Sequence, residues 1–278
     1  MKLFVTGGSG YLGAAILKRA PTDWQIAATY VTHPIARKNV AAFYLDVRDA
    51  DAVQRAIDAA RPDVVIHTAA QMTGAALIAV NADGARNVAR AARQIGAQLV
   101  HLSSDVIFDG EHAPYDETAE PHPLIPYAIS KARAEEIVRA EFSSERIVRT
   151  SLIYGFDPMD PRTRQTLDGE MPRLFTDEFR CPIFVYDLAD ALIELAQLHP
   201  VFFEKTGFSV LNLAGAQRIS RYDFGIALAQ KFRVAPKFSP ARSASHPTPR
   251  PRDCTLDISR AQKILQTKLR GVAEVLAQ

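Results

Sequence analysis

The stretch "KLFVTGGSGYLGAAILKRA" (residues 2–20) decides the fold. Its first five residues form a short apolar run that reads as a buried strand. Leu12, Ala15, Ile16 and Arg19 then recur at helical spacing. Between strand and helix lie Gly7, Gly10 and Gly13 in the pattern G-x-x-G-x-x-G, with Gly8 keeping the loop permissive. Glycine allows a tight turn, lets backbone N–H groups approach a pyrophosphate, and lets the helix pack close to the strand. A plain glycine-rich turn would look the same in isolation. Its position between the first strand and the first helix favours a dinucleotide cradle.

Outward from this loop, apolar runs alternate with helical stretches. Strands are expected at 24–31, 41–47, 63–70, 98–104 and 146–155, and helices at 11–20, 49–60, 81–97 and 130–142. Asp49 reads as an N-cap, and Arg61-Pro62 as the stop of the helix it opens. Such alternation, with strands apolar throughout, implies an α/β fold: a doubly wound parallel sheet covered on both faces. After Gly155 the pattern loosens. Residues 156–172 read as loop with one helical turn, and 236–253 as extended and irregular. Helices follow at 185–198, 220–232 and 257–266, with a strand at 208–215. The expected organisation is a Rossmann-like cofactor domain at 1–155, to which elements at about 183–215 return. A smaller substrate lobe takes 156–182 and 216–278.

The end of the second strand bears on the cofactor. Folds that bind NAD usually place Asp or Glu there, on the ribose 2′-hydroxyl. "ATYVTHPIARK" (28–38) has no carboxylate. His33, Arg37 and Lys38 are either partners for a 2′-phosphate or a solvated loop. NADP(H) is favoured and NAD(H) stays open. Asp46 either accepts from the adenine amino group or serves a turn.

Strand five ends in "LSSDVIFDG" (102–110), where hydroxyls project toward the ligand crevice of a doubly wound sheet. "PYAISKARAEE" (126–136) follows, with Tyr127 and Lys131 four apart. Such a pair is often an ordinary contact on a surface helix. Beside a cofactor loop it reads as an acid–base pair. A phenol titrates near pH ~10 in isolation, and a nearby ammonium is expected to lower it. Ser104 would hold the substrate oxygen while Tyr127 supplies a proton to the developing alkoxide, and Lys131 would hold the nicotinamide ribose.

These residues resemble the extended short-chain dehydrogenase/reductase family over nearly the whole chain: "TGGSGYLG", "LDVRD", "PDVVIHTAA", "VNADGARNVA", "HLSSDVIFDG", "PYAISKARAE", "RIVRTSLIYG" and "VYDLADAL". "SSDVIFDG", "FTDEFRCPI" and "RPRDCTLDIS" narrow the resemblance to the dTDP-4-dehydrorhamnose reductase group. It implies NAD(P)H-dependent reduction of the 4-keto group of a nucleotide-linked deoxyhexose, with Ser104, Tyr127 and Lys131 catalytic. It further implies cofactor contacts from Gly7, Gly10, Tyr11, Leu12, Gly13, Tyr30, His33, Arg37, Asp46, Val47, Thr68, Ala69, Ala70, Asn81 and Ser103. Asn81 either acts through a bound water or caps its helix. Substrate contacts would come from Ser104, Val106, Phe108, Arg180, Pro182 and Arg252. Arg180 or Arg252 either clamps a diphosphate or sits in a surface ion pair.

The chain departs from the group in two places. "QMTGAALIAV" (71–80) and 156–175 are shorter than usual, and both would border substrate. Two other activities stay open. A sugar-nucleotide epimerase prefers the strand-two carboxylate that is missing here. A dehydratase adds an acidic pair, whereas only Asp105 follows Ser104. A third reading is a binding subunit without turnover, as in the similar regulatory beta subunit of methionine adenosyltransferase.

A net charge of +2 without a basic stripe gives no reason to expect nucleic acid as a partner. The apolar run near the N-terminus is broken by glycines and too short for a membrane span. Cys181 and Cys254 have no metal-ligand spacing, so a reduced, cytoplasmic protein without a metal is expected, with a homodimer open.

Overall fold

In the computed structural model, residues 1–141, 146–198 and 209–278 are described. The strand–helix alternation folds as expected. Strands β1 (Lys2–Thr6), β2 (Gln25–Tyr30), β3 (Val40–Tyr44), β4 (Val64–His67), β5 (Gln98–Ser104) and β6 (Arg146–Thr150) join Val210–Leu213 in one seven-stranded sheet. Starting from Val210–Leu213 the order is β6, β5, β4, β1, β2, β3. Pairings from β3 through to β5 are parallel. The order reverses beside β1, so the loops after β1 and β4 emerge side by side at the carboxyl edge, where doubly wound sheets bind ligands.

Helix α1 (Tyr11–Arg19) follows the glycine loop, and α2 (Ala50–Ala60) is capped by Asp49, whose carboxylate accepts from Ala52 N at 2.9 Å. The helix expected at 81–97 is entered through a π-helical turn, Ala79–Asp83, and becomes α3 at Gly84–Gln94. Helix α4 (Pro126–Glu141) begins four residues earlier than expected. Proline suits the first helical position, where its missing N–H has no partner to lose. Phe142 and Phe208, the outer ends of an expected helix and strand, lie outside the described residues.

Two further expectations are corrected. The run 146–155 is two strands, because the chain leaves the sheet at Ser151. Its second part, β7 (Ile153–Tyr154), pairs instead with Ile183–Phe184. The stretch read as loop holds α5 (Pro161–Asp168). It is opened by Asp160, which accepts from Thr163 N at 2.9 Å, and closed by Gly169 at φ 87°. Helices α6 (Val185–Gln197), α7 (Arg221–Phe232), α8 (Ser259–Ile264) and α9 (Val272–Leu276) complete the described set.

The chain divides into two compact units. The first comprises 1–103, 129–148 and 192–211, and its core packs Phe4, Val53, Ile57, Val65, Val88, Leu99 and Ile147 between strands and helices. The second comprises 104–128, 149–191 and 212–278, around Tyr154, Phe224, Leu228, Val272 and Val275. Burying such side chains contributes roughly 1.5–3 kcal/mol each.

Candidate active site

The glycine loop has the geometry of an anion cradle. Gly7 holds φ +67°, and a Cβ there would sit 2.9 Å from the Ala69 backbone. A Cβ on Gly13 would fall 2.2 Å from Gly7 O, so the close approach of α1 to the loop excludes any side chain. Gly10 N donates to Gly7 O at 2.9 Å, and Gly10 stands at the N-cap of α1 with no side chain capping it. An uncapped helix N-terminus behind a glycine loop is the setting in which backbone amides meet a phosphate. The residues here fit a dinucleotide. Tyr11 is partly exposed beside this terminus, while Leu12 is buried beneath it.

The loop after β4 is tied to the loop after β1. Thr68 Oγ1 donates to Thr6 O at 2.7 Å, and Ala69 N to Thr6 Oγ1 at 3.3 Å, leaving Ala70 exposed. Asn81 does not cap its helix. Its Oδ1 accepts from Gln71 N at 2.7 Å, and its Nδ2 donates to Gln71 O and to Ser130 Oγ, both at 2.8 Å. It thereby pins the loop after β4 to α4, one residue before Lys131.

At the end of β2, His33, Arg37 and Lys38 are exposed, and Tyr30 packs edge-on to Tyr44. Asp46 is engaged by Arg48 through both carboxylate oxygens, Nε donating to Oδ1 at 3.0 Å and Nη2 to Oδ2 at 2.5 Å, and by the Arg48 backbone N, which donates to Oδ1 at 3.0 Å. That hydrogen bonding holds its carboxyl below the usual range and matches the turn reading. Val47 is buried against Gly84.

Lys131 is buried, and its Nζ donates to Leu102 O. Burial pulls the amine down to about 8, against an opposing pull from Glu135. Nearby, His67 and His101 stack with centroids 5.2 Å apart, and His67 Nδ1 meets Thr6 Oγ1 at 2.6 Å. Burial, reinforced by the Lys131 charge, holds both imidazoles neutral, with His67 at about 3. Ser103 Oγ is buried without a partner among the described residues.

In the second unit, Ser104 hydrogen-bonds the Tyr127 phenol, and its Oγ lies 3.4 Å from Asp105 Oδ1. The phenol does not behave as expected from sequence. Burial and then the Asp105 charge push it up to about 12, and the Ser104 hydrogen bond opposes them only in part. Asp105 is buried, accepts from Ser151 Oγ at 2.6 Å, and faces Arg180 Nε at 3.8 Å. Burial pushes its carboxyl up, with Arg180 opposing.

The expected substrate contacts fall in different settings. Val106 is partly exposed. Phe108 is fully buried and stacks on Tyr115 at 4.1 Å. Pro182 is buried against Gly215. Arg180 is no surface ion pair: it is buried, and donates to Glu178 at 2.9 Å and to the Phe179 and Pro251 carbonyls. Arg252 is exposed and pairs with exposed Glu111 at 2.9 Å. The sequence reading missed the Thr6, His67 and His101 contacts. It also missed Glu178, whose carboxylate brings Arg180 and Arg250 together. Among the described residues no group of three or more His, Cys, Asp or Glu could hold a metal ion, and no helix is long and apolar enough to cross a membrane.

A parallel sheet with this glycine loop, and a helix bearing Tyr127 and Lys131 one turn apart, defines the extended short-chain dehydrogenase/reductase class. Within it, the chain belongs to the family described as RmlD substrate binding domain, whose model matches residues 1–278. A dTDP-4-dehydrorhamnose reductase of Mycobacterium tuberculosis is 30% identical, over 99% of this chain and 91% of its own length. The beta subunit of methionine adenosyltransferase 2 from Xenopus tropicalis is 26% identical, over 95% of this chain and 82% of its own. A Bacillus anthracis dTDP-4-dehydrorhamnose reductase, solved with NADP, superposes with a TM-score of 0.82 at 22% identity, over 100% of this chain and 98% of that one.

Proposed function

We propose that the protein reduces the 4-keto group of a nucleotide-linked deoxyhexose with NADPH, Tyr127 giving the proton. The observation that carries this reading is the Ser104–Tyr127 hydrogen bond on a helix whose next turn presents buried Lys131. Membership of a family that includes named reductases supports the substrate class.

The bound cofactor would supply hydride. The Gly7–Gly13 loop and the first amides of α1 would hold its pyrophosphate, and His33 and Arg37 are placed in the exposed loop that would meet a 2′-phosphate. Thr68, Ala69 and Ala70 would line its path. Ser104 would orient the substrate carbonyl. Tyr127, with a pKa near 12, holds its proton at neutral pH and so stands ready as the donor. Lys131 would position the nicotinamide ribose, and Asn81 fixes the turn of α4 from which it projects. In this reading residues 1–155, with the elements returning at about 183–215, serve the cofactor. Residues 156–182 and 216–278 serve the sugar nucleotide.

The test is NADPH absorbance with purified protein and dTDP-4-keto-6-deoxyhexose, beside Tyr127→Phe. Consumption that the variant abolishes supports the reading. NADPH binding without consumption by either protein rejects it for this substrate. The second reading, a binding subunit without turnover, would then lead, as the likeness to a methionine adenosyltransferase beta subunit suggests.

A further inference from the structure

The carboxyl ends of three neighbouring strands carry a buried polar row. Thr6 on β1 lies opposite His67 on β4, and His67 lies opposite His101 on β5. Two residues earlier in each strand, Phe4, Val65 and Leu99 pack in the core with Ala85 and Val88 of α3 and with Ala134 and Val138 of α4. Side chains alternate along a strand, so the polar row stands on that same helix-covered face. Ser103, two residues beyond His101, shares it. Thr6, His67, His101 and Ser103 are each no more than 4% exposed. All four belong to the first unit, as does Lys131, which projects from α4 one turn before Ala134.

The row cannot satisfy itself. His67 Nε2, both nitrogens of His101 and Ser103 Oγ are buried with no hydrogen-bond partner among the described residues. The imidazole rings stack, with centroids 5.2 Å apart and planes 28° from parallel. An imidazole bonds in the plane of its ring, so stacked rings do not bond each other. The proton on His67 is placed by its neighbour. Thr6 Oγ1 accepts from Ala69 N at 3.3 Å and meets His67 Nδ1 at 2.6 Å. The hydroxyl therefore donates to Nδ1, and the His67 proton sits on Nε2, among the unmet atoms. Neutral His101 adds one donor and one acceptor, and Ser103 a hydroxyl. Asn81, the amide that ties α4 to the loop after β4, is committed to Gln71 and Ser130.

Lys131 adds to the demand. An ammonium has three N–H groups, and the hydrogen bond that Lys131 makes among the described residues goes to Leu102 O, between His101 and Ser103 on β5. Its charge acts on both imidazoles, and the charge acting on it in turn is Glu135 of its own helix. Buried donors and acceptors that a protein cannot pair are met by internal water, each molecule taking about three polar partners. Leaving these groups dry costs more than immobilising the water that would satisfy them.

We propose that His67, His101 and Ser103 hold internal water that bridges them to the Lys131 ammonium, which makes the two imidazoles positioning residues for the lysine that would hold the nicotinamide ribose. That role rests on the reductase reading; the water site does not. Water here accepts from an ammonium N–H and so favours the charged form of Lys131. Burial already holds this amine at about 8, so loss of the acceptor discharges it within the working pH range.

The test is the titration of Lys131 by NMR in the full chain labelled at lysine Cε, with Lys131→Met assigning the signal. His101→Leu should lower the Lys131 midpoint by about one pH unit or more, and His101→Gln, which keeps a donor and an acceptor, should restore most of it. His101→Leu should also lower the urea midpoint, because it breaks a hydrated network. In a dry cluster the same change removes two orphaned polar atoms and raises it. An unmoved Lys131 midpoint in His101→Leu overturns the proposal, and so does a raised urea midpoint. Ser103→Ala keeps the test decisive should His101→Leu fail to fold: it should lower the Lys131 midpoint too, and no movement overturns the water site. Activity separates this proposal from the reading beneath it. With NADPH and the sugar nucleotide, the alkaline limb of kcat/KM should move down together with the Lys131 midpoint. A moved midpoint in a protein that never turns over keeps the water site and rejects the reductase reading. Turnover with an unmoved midpoint does the reverse.

Discussion

His67 makes the protein sensitive to acid in a way that can be calculated. Its ring stacks on His101, its Nδ1 meets Thr6 Oγ1, and its Nε2 is buried without a partner among the described residues. Protonation would set a second cation near Lys131, which already acts on both imidazoles. Burial accordingly holds His67 at about 3 in the fold, against 6.5 when unfolded. The folded pKa is the lower one, so the unfolded chain takes up the proton first as pH falls. The stabilisation is complete above about 6.5 and is lost progressively down to about 3. At pH 5.0 the loss from this group is about 2 kcal/mol, from 1.36 kcal/mol per unit over roughly 1.5 units. His101, depressed by the same burial, acts in the same direction. The assay is urea unfolding at pH 7.5 and 5.0 for the native protein and His67→Gln, which keeps a polar partner for Thr6. A urea m of about 3 kcal/mol/M converts the difference to a midpoint shift of about 0.7 M. The native midpoint should fall further than the variant's by that amount. Equal falls would refute the neutral, buried state assigned to His67.

Tyr127→Phe should lower NADPH-dependent turnover by about 10²–10⁴-fold while leaving NADPH affinity intact, as fluorescence titration would report. A parallel loss of affinity would make the phenol a cofactor contact instead of a proton donor. Gly13→Ala would drive a Cβ to within 2.2 Å of Gly7 O, so NADPH binding should disappear before the fold does. A variant that binds NADPH normally would remove the glycine loop from the cofactor site. Arg252→Ala breaks an ion pair whose side chains are 59% and 51% exposed, and should change stability by less than ~1 kcal/mol. Its KM for the sugar nucleotide should also hold. A tenfold rise would restore Arg252 as a diphosphate clamp.

What was legible in the sequence was local. The glycine loop could be read because its turn, its close approach and its helix start all lie within seven residues. The Tyr127–Lys131 pair could be read because one helical turn fixes the spacing. Helix α5 also had a local signal, in Asp160 and Pro161 at one end and Gly169 at the other. The Pro- and Asp-rich surroundings masked it. The grip of Arg180 and Arg250 on Glu178 had no such signal. Glu178 and Arg250 are far apart in the chain, and each looks like a solvated surface charge. The folded chain joins them through the two Arg250–Glu178 hydrogen bonds. His67 and His101 were hidden for a related reason. Each reads as one polar residue in an apolar strand, and their parallel register, His67 opposite His101, belongs to the sheet.

The acid–base pair shows how burial overrides a charge argument. Sequence placed an ammonium four residues from a phenol, and that pairing alone lowers the phenol's pKa. The structure moves both groups the other way: Tyr127 up to about 12 and Lys131 down to about 8. The charge of Lys131 is disfavoured by burial, and its amine is engaged with the Leu102 carbonyl. Asp105 meanwhile adds negative charge on the phenol's side. A phenol so disposed keeps its proton across the physiological range, which suits a donor to a developing alkoxide. The same phenol is poorly prepared to accept a proton from an alcohol, which needs the phenolate. Burial first, and the Asp105 charge second, therefore keep the phenol protonated.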